Sequence, residues 1–220
     1  VDSDGDGWSN PTSGWTAANG ADAFIAEITQ WADQDGDGYG DNPAGVNPDS
    51  CPSIFGTSNQ LGILGCSDTD NDGYADVDDL FPNDASQWED GDNDGYGDNP
   101  GGNNPDACIG SQGFSSQDRF GCLDTDGDGF SDGDNGWTIA NGADMWPNDV
   151  TQWIDSDGDG YGDNTNGTRG DAFPQDGTEW SDIDSDGYGD NSDLFLTDGT
   201  LWNDTDGDGF GDNLNGANGD

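Results

Sequence analysis

Histidine and lysine are absent from the 220-residue chain, and arginine occurs twice, at Arg119 and Arg169. Those absences remove the Ser–His triad, the Schiff-base lysine and the imidazole metal ligand. They also exclude nucleic acid and anionic membrane surfaces as partners, because both are bound through basic side chains. No apolar run approaches the roughly 20 residues of a membrane span. Hydrophobic residues are 28% of the chain, too few for one conventional core. With neither a signal peptide nor an initiator Met, the sequence is expected to be a processed chain or an excised piece.

What is present is acid and glycine. Asp and Glu number 49, of which only Glu27, Glu89 and Glu179 are Glu, and the formal charge is −47. Such a composition ordinarily leaves a chain disordered. Nine Trp, nine Phe and five Tyr, together with the regular spacing of the acids, argue against disorder here. A chain this acidic must stay expanded or neutralise itself with cations.

The spacing is a repeat. Residues 2–42 match residues 124–164 at 26 of 41 positions. Within that lies a nine-residue unit, D-x-D-x-D-G-aromatic-small-[D/N], present eight times. Its three leading acids are Asp2, Asp4 and Asp6; Asp33, Asp35 and Asp37; Asp68, Asp70 and Asp72; Asp90, Asp92 and Asp94; Asp124, Asp126 and Asp128; Asp155, Asp157 and Asp159; Asp182, Asp184 and Asp186; and Asp204, Asp206 and Asp208. Position 7 is Trp8, Tyr39, Tyr74, Tyr96, Phe130, Tyr161, Tyr188 or Phe210. Position 9 is Asn10, Asp41, Asp76, Asp98, Asp132, Asp163, Asp190 or Asp212.

A closing Asp follows each loop start at one of three distances. It is 11 residues for Asp79 and Asp193, 16 for Asp49, Asp106, Asp171 and Asp220, and 20 for Asp22 and Asp144. Five closing acids lead through D-x-[F/W]-x-x-[D/E]-x-[S/T]-x-W into the next loop; in two, Cys51 or Cys108 replaces the aromatic. The four Cys, spaced 15 and 14 apart, read as disulfides Cys51–Cys66 and Cys108–Cys122. A closed loop of about 15 residues is worth roughly 3 kcal/mol and points to an environment outside the reducing cytosol. Since Asp220 stands where a closing Asp is due and Val1 where a loop is about to begin, one continuous array is expected over 1–220, cut mid-repeat at both ends.

Alternating Asp at positions 1, 3 and 5, Gly at 6 and a carbonyl at 7 set oxygens around one point. All-oxygen, carboxylate-rich ligation suits a hard cation, Ca²⁺ ahead of Mg²⁺, which prefers to keep its waters. These are not EF-hand loops, which need Glu at position 12 and flanking helices.

Repeated D-x-D-x-D-G-x-x-D closed by D-x-[F/C]-P resembles the thrombospondin type 3 repeat, and the style is similar to calcium-rich repeats of microbial surface proteins. The resemblance covers nearly the whole chain. It implies a chain wound around a row of calcium ions, eight or more, with little regular secondary structure. It also implies that the position 9 residue and the closing Asp join the three loop acids and the position 7 carbonyl as ligands, as in Asp68, Asp70, Asp72, Tyr74, Asp76 and Asp79. The inserted residues before most closing acids and the Trp before five loops depart from that pattern.

Two further groups have alternative readings. Glu27, Asp84, Asp149, Asp176 and Asp198 either serve a second ion or cap the turn that follows. The aromatics either form carbohydrate platforms or pack loop on neighbour, and packing is the favoured reading. Trp15 and Trp137, in matched inserts, are candidates for contacts between chains or with a glycan. The expectation is a secreted or cell-surface, calcium-stabilised structural array without catalysis, forming a fibre, filament or stalk with itself, other surface proteins or glycans as partners. Its alternatives are a spacer of a large adhesin or enzyme, and a calcium buffer or mineral-binding protein.

Overall fold

The computed structural model of the chain describes residues 1–214, 216 and 219. Among them, regular secondary structure is confined to two 3₁₀ turns, Ala17–Asn19 and Ile139–Asn141, and four isolated β-bridges. The chain is irregular, as expected. It packs as two compact units, Val1–Gly110 and Ser111–Asp220, each carrying four of the Asp loops. Cys51 is bonded to Cys66, Cys108 and Cys122 are likewise disulfide-bonded, and no cysteine is free. No helix among the described residues is long and apolar enough to cross a membrane.

The interior is inverted relative to a common globular domain. Buried hydrophobic residues are Ala21, Cys66, Ala75, Cys122, Ala143 and Leu201, whereas the largest fully buried side chains include Gln30, Gln87 and Gln152. Seven closing acids, Asp22, Asp49, Asp79, Asp106, Asp144, Asp171 and Asp193, are buried as well. Buried carboxylates are costly unless paired or bound to a cation.

Apolar packing is local. Five loop aromatics stack face to face on the Trp that precedes the next loop: Trp8 on Trp31, Tyr74 on Trp88, Phe130 on Trp153, Tyr161 on Trp180 and Tyr188 on Trp202. Ring centroids are 4.6–6.0 Å apart and the planes lie within 8° of parallel. Of the two readings of the periodic aromatics, these rings follow the packing one.

Candidate metal centres

Each loop is wound by its own first acid. Its Oδ1 accepts from the position 4 amide and its Oδ2 from the position 6 amide; for Asp68 these come from Asn71 at 2.7 Å and Gly73 at 3.1 Å. The same pair of bonds recurs in every loop, from Asp2 to Asp204. Turning both amides inward requires left-handed backbone at positions 4 and 6. The position 6 glycines have φ of 91–100°, and position 4 is Gly, Asn or Ser with φ of 63–87°. Gly is invariant at 6 because a side chain disfavours that region. Asn and Ser enter at 4, where φ is smaller and Asn in particular is tolerated.

The next two acids use one oxygen each and present the other. Position 5 accepts from the position 7 amide through Oδ1, as Asp128 does from Phe130 at 2.8 Å. Position 3 accepts from the position 5 amide in most loops, as Asp126 does from Asp128 at 3.2 Å. The closing Asp accepts through Oδ1 from the amide two residues on, as Asp144 does from Trp146 at 2.8 Å. That leaves buried Oδ2 atoms without a hydrogen-bond partner on Asp4, Asp6 and Asp22, on Asp126, Asp128 and Asp144, and on Asp157, Asp159 and Asp171. Three orphaned oxygens therefore come from positions 3, 5 and the closing acid of one loop, three times over.

These acids are mutual neighbours. Ligand atoms of Asp2, Asp4 and Asp6 lie within 4.8 Å of one another, and the same holds for the triads opening at Asp33, Asp68, Asp90 and Asp124. Burial pushes the Asp144 carboxyl up to about 6; the Trp146 amide opposes this, and Asp128, Asp126 and Asp132 reinforce it. Asp22, Asp49, Asp79, Asp106 and Asp171 are raised for the same reason, each next to the acids of its own loop. The closing Asp reaches its loop whether 11, 16 or 20 residues separate them, because the inserted residues loop out. Asp220 lies outside the described residues.

Position 9 also fastens the loop. Its amide donates to the carbonyl of the residue before the loop, as Asp132 does to Leu123 at 2.7 Å and Asp76 to Ser67 at 2.8 Å. Its carboxylate accepts from position 2; Asp76 takes both the amide and the hydroxyl of Thr69, at 2.7 and 2.9 Å. Thr125, Ser156 and Thr205 bond Asp132, Asp163 and Asp212 in the same way, whereas Asn10 accepts the Ser3 amide through Oδ1 and donates through Nδ2 to the Ser3 hydroxyl oxygen. Position 9 is thus the clasp that ties the loop shut.

The second acid of the spacer caps a turn. Glu27, Asp84, Asp149, Asp176 and Asp198 each accept the amide and hydroxyl of the Ser or Thr two residues on, the hydroxyl at 2.6–2.7 Å. Hydrogen bonds from Ser86 and Thr151 hold Asp84 and Asp149 below the usual carboxylate range.

No protein-family model matches the chain, and no curated protein matches it in sequence.

A residue missed by motif reading completes the frame. Three places before the loops at Asp33, Asp90 and Asp155 stand Gln30, Gln87 and Gln152, each about 1% exposed. The Gln152 amide donates to the carbonyls of Asn164 and Thr168, at 2.9 and 3.1 Å, and accepts from the Asn164 amide at 3.2 Å. Gln30 and Gln87 do the same to residues 42 and 46 and to 99 and 103. All three loops carry the five-residue insert, so glutamine is the clamp for that insert. Its available signal was the Gly at position 8: a Cβ on Gly40, Gly97 or Gly162 would sit 2.0–2.2 Å from the glutamine Oε1. Gln152→Ala should orphan two carbonyls and an amide, costing about 3 kcal/mol. Thermal melting in calcium should show the midpoint fall by roughly 10 °C, and an unchanged midpoint would refute the clamp.

Proposed function

We propose that the chain is a secreted, calcium-stabilised structural array whose eight Asp loops each hold at least one Ca²⁺. The carrying observation is the set of buried, partnerless carboxylate oxygens that recurs at positions 3, 5 and the closing acid of single loops. Three acid side chains, hard oxygen donors only, suit a cation that takes six to eight oxygens at 2.3–2.6 Å. The position 1 carboxylate and the position 7 carbonyl would complete the shell, while the position 9 clasp holds its shape. Bound calcium would neutralise acids whose burial is otherwise unfavourable and order the backbone between loops. The disulfides and the scarcity of apolar core support an extracellular setting, where calcium is plentiful and thiols are oxidised.

The chain is read as a fibre, filament or surface-stalk element and not as an enzyme: the close acid pairs all belong to loops, and no histidine or lysine offers proton transfer. A mere calcium buffer needs no fixed geometry, and the stacked aromatics and glutamine clamps argue for one that has to keep its form. Equilibrium dialysis against Ca²⁺ with metal analysis tests the reading. Eight or more ions per chain at millimolar calcium are expected, with Mg²⁺ unable to displace them at equal concentration. Fewer than about six, or equal uptake of Mg²⁺, would overturn it.

A further inference from the structure

The spacers differ in how they treat position 5 of the loop before them. Five loops run into a spacer of two aromatics. There the position 5 acid keeps a buried Oδ2 without a hydrogen-bond partner, on Asp6, Asp72, Asp128, Asp159 and Asp186. The loop at Asp33 runs instead into the Cys51–Cys66 spacer, and its Asp37 Oδ2 accepts the Gly56 amide at 3.1 Å. Gly65, next to Cys66, lies against the same carboxylate. A Cβ there would stand 2.8 Å from Asp37 Oδ2 and closer still to Asp49 Oδ1, and a φ of 72° already selects glycine. The spacer main chain thus touches both position 5 and the closing acid of the Asp33 loop.

The same segment grips the next loop. Thr57 Oγ1 donates to Asp68 Oδ2 at 3.4 Å, and the amides of Asn59 and Gln60 converge on the Gly73 carbonyl at 2.8 and 2.9 Å. In the second unit Ser116 and Gln117 cap the Gly129 carbonyl alike, at 2.7 and 2.9 Å. There Asp118 also accepts the Ser131 amide and Arg119 pairs with Asp134. Between its two grips the first spacer is fixed to its second cysteine. The Cys66 carbonyl accepts from Thr57 and Ser58 at 3.0 and 3.2 Å, and the Cys66 amide donates to the buried Ser58 Oγ at 2.9 Å. Gly56 packs so tightly on the Cys66 backbone that no Cβ fits. Residues 56–60 therefore touch position 5 of one loop and positions 1 and 6 of the next. What holds them is Cys66, bonded to Cys51 two residues beyond the first loop's closing acid.

We propose that the Cys51–Cys66 spacer couples two calcium sites, so that the loops at Asp33 and Asp68 fill as a linked pair. This rests on the calcium reading above and adds a route between two of its sites. A hydrogen bond to a ligating carboxylate fixes the direction of that ligand, and such outer partners are worth about 10–100-fold in metal affinity. An ion held by Asp37 steadies Gly56 and, through Cys66, residues 57–60. Those residues in turn steady Asp68 and the loop turn at Gly73. Ordering done by the first ion is not repeated for the second, which makes the coupling positive. By linkage it is also reciprocal. The disulfide is the part that keeps residues 56–60 in place when either loop is empty.

Calcium titration of the intact, isotope-labelled chain, followed by NMR through the position 6 glycine amides, reads each loop separately. In the unaltered chain Gly38 and Gly73 should share one midpoint. Asp72→Asn, made in the Asp68 loop alone, should raise the Gly38 midpoint about tenfold. In the chain with Cys51→Ser and Cys66→Ser, the Gly38 midpoint should start at least about tenfold higher and should ignore Asp72→Asn. Gly65→Ala keeps the disulfide but presses on Asp37 and Asp49, and it should raise the Gly38 midpoint to a similar degree. Gly160 and Gly187, in the second unit, should hold their midpoints in the Gly65→Ala chain. The proposal is overturned if Gly38 ignores Asp72→Asn in the unaltered chain, or if Gly65→Ala leaves Gly38 unmoved. It is equally overturned if Gly65→Ala shifts Gly160 and Gly187 as far as Gly38. Gly65→Ala keeps the test decisive even where the cysteine variant does not fold. If no position 6 glycine of the unaltered chain responds to calcium, the calcium reading itself falls, and the coupling with it.

Discussion

Excess chelator should unfold the whole chain. Removing eight divalent ions returns sixteen charges, taking the formal charge from −31 back to −47, on a chain whose Asp4, Asp6, Asp22, Asp126, Asp128 and Asp144 already hold buried oxygens without a hydrogen-bond partner. Few buried hydrophobic side chains, the aromatic stacks, two disulfides and the loop hydrogen bonds are left to oppose chain entropy, which costs about 1–2 kcal/mol per residue. Metal binding and folding should thus be one transition. The near-ultraviolet circular dichroism of the stacked Trp rings should vanish, Trp emission should shift to the red, and the radius of gyration should move toward about 50 Å. Calcium should restore all three. A near-ultraviolet signal that persists in chelator would show that the loops fold on hydrogen bonds alone.

Acid should have opposite effects on the loaded and the metal-free chain. The Asp144 carboxyl is raised to about 6 from an ordinary 3.8. A raised folded pKa means the folded chain binds the proton more tightly than the unfolded one. Asp144 therefore destabilises the metal-free fold above about pH 6, and that penalty is relieved as pH falls toward 4. Asp22, Asp49, Asp106 and Asp171 shift the same way. Calcium must displace such a proton, so the apparent affinity of the Asp144 loop should fall about tenfold per pH unit below 6. Calcium titrations at pH 7, 6 and 5 check the loaded form, and circular dichroism of the chelated chain across the same range checks the other. Affinity independent of pH would mean that the closing acids are not ligands.

The loops were legible because they depend on bonds within nine residues. Position 6 must be Gly to turn its amide onto the first Asp, and that demand survives as an unbroken column of glycine. The closing acids were legible by distance, and the cysteines by spacing. Position 9, expected among the ligands by resemblance, also accepts the position 2 amide within the same nine residues, and position 2 is Ser or Thr in five of the eight loops. Gln30, Gln87 and Gln152 escaped notice because their partners are backbone atoms 12 and 16 residues on, which leave no side-chain pattern. Asp118 and Arg119 escaped because contacts across 12–19 residues of irregular chain follow no period.

An interior filled with glutamine amides and carboxylates has a thermal consequence. The heat capacity of unfolding rises with the apolar surface exposed and falls with the polar surface. A chain that buries Gln30, Gln87 and Gln152 where others bury leucine should unfold with a small heat-capacity increment for its length. Its stability would then vary gently with temperature, without the pronounced weakening on cooling that follows from a hydrophobic core. What sets its persistence is the free calcium around it, through the logarithm of concentration over dissociation constant at every filled loop.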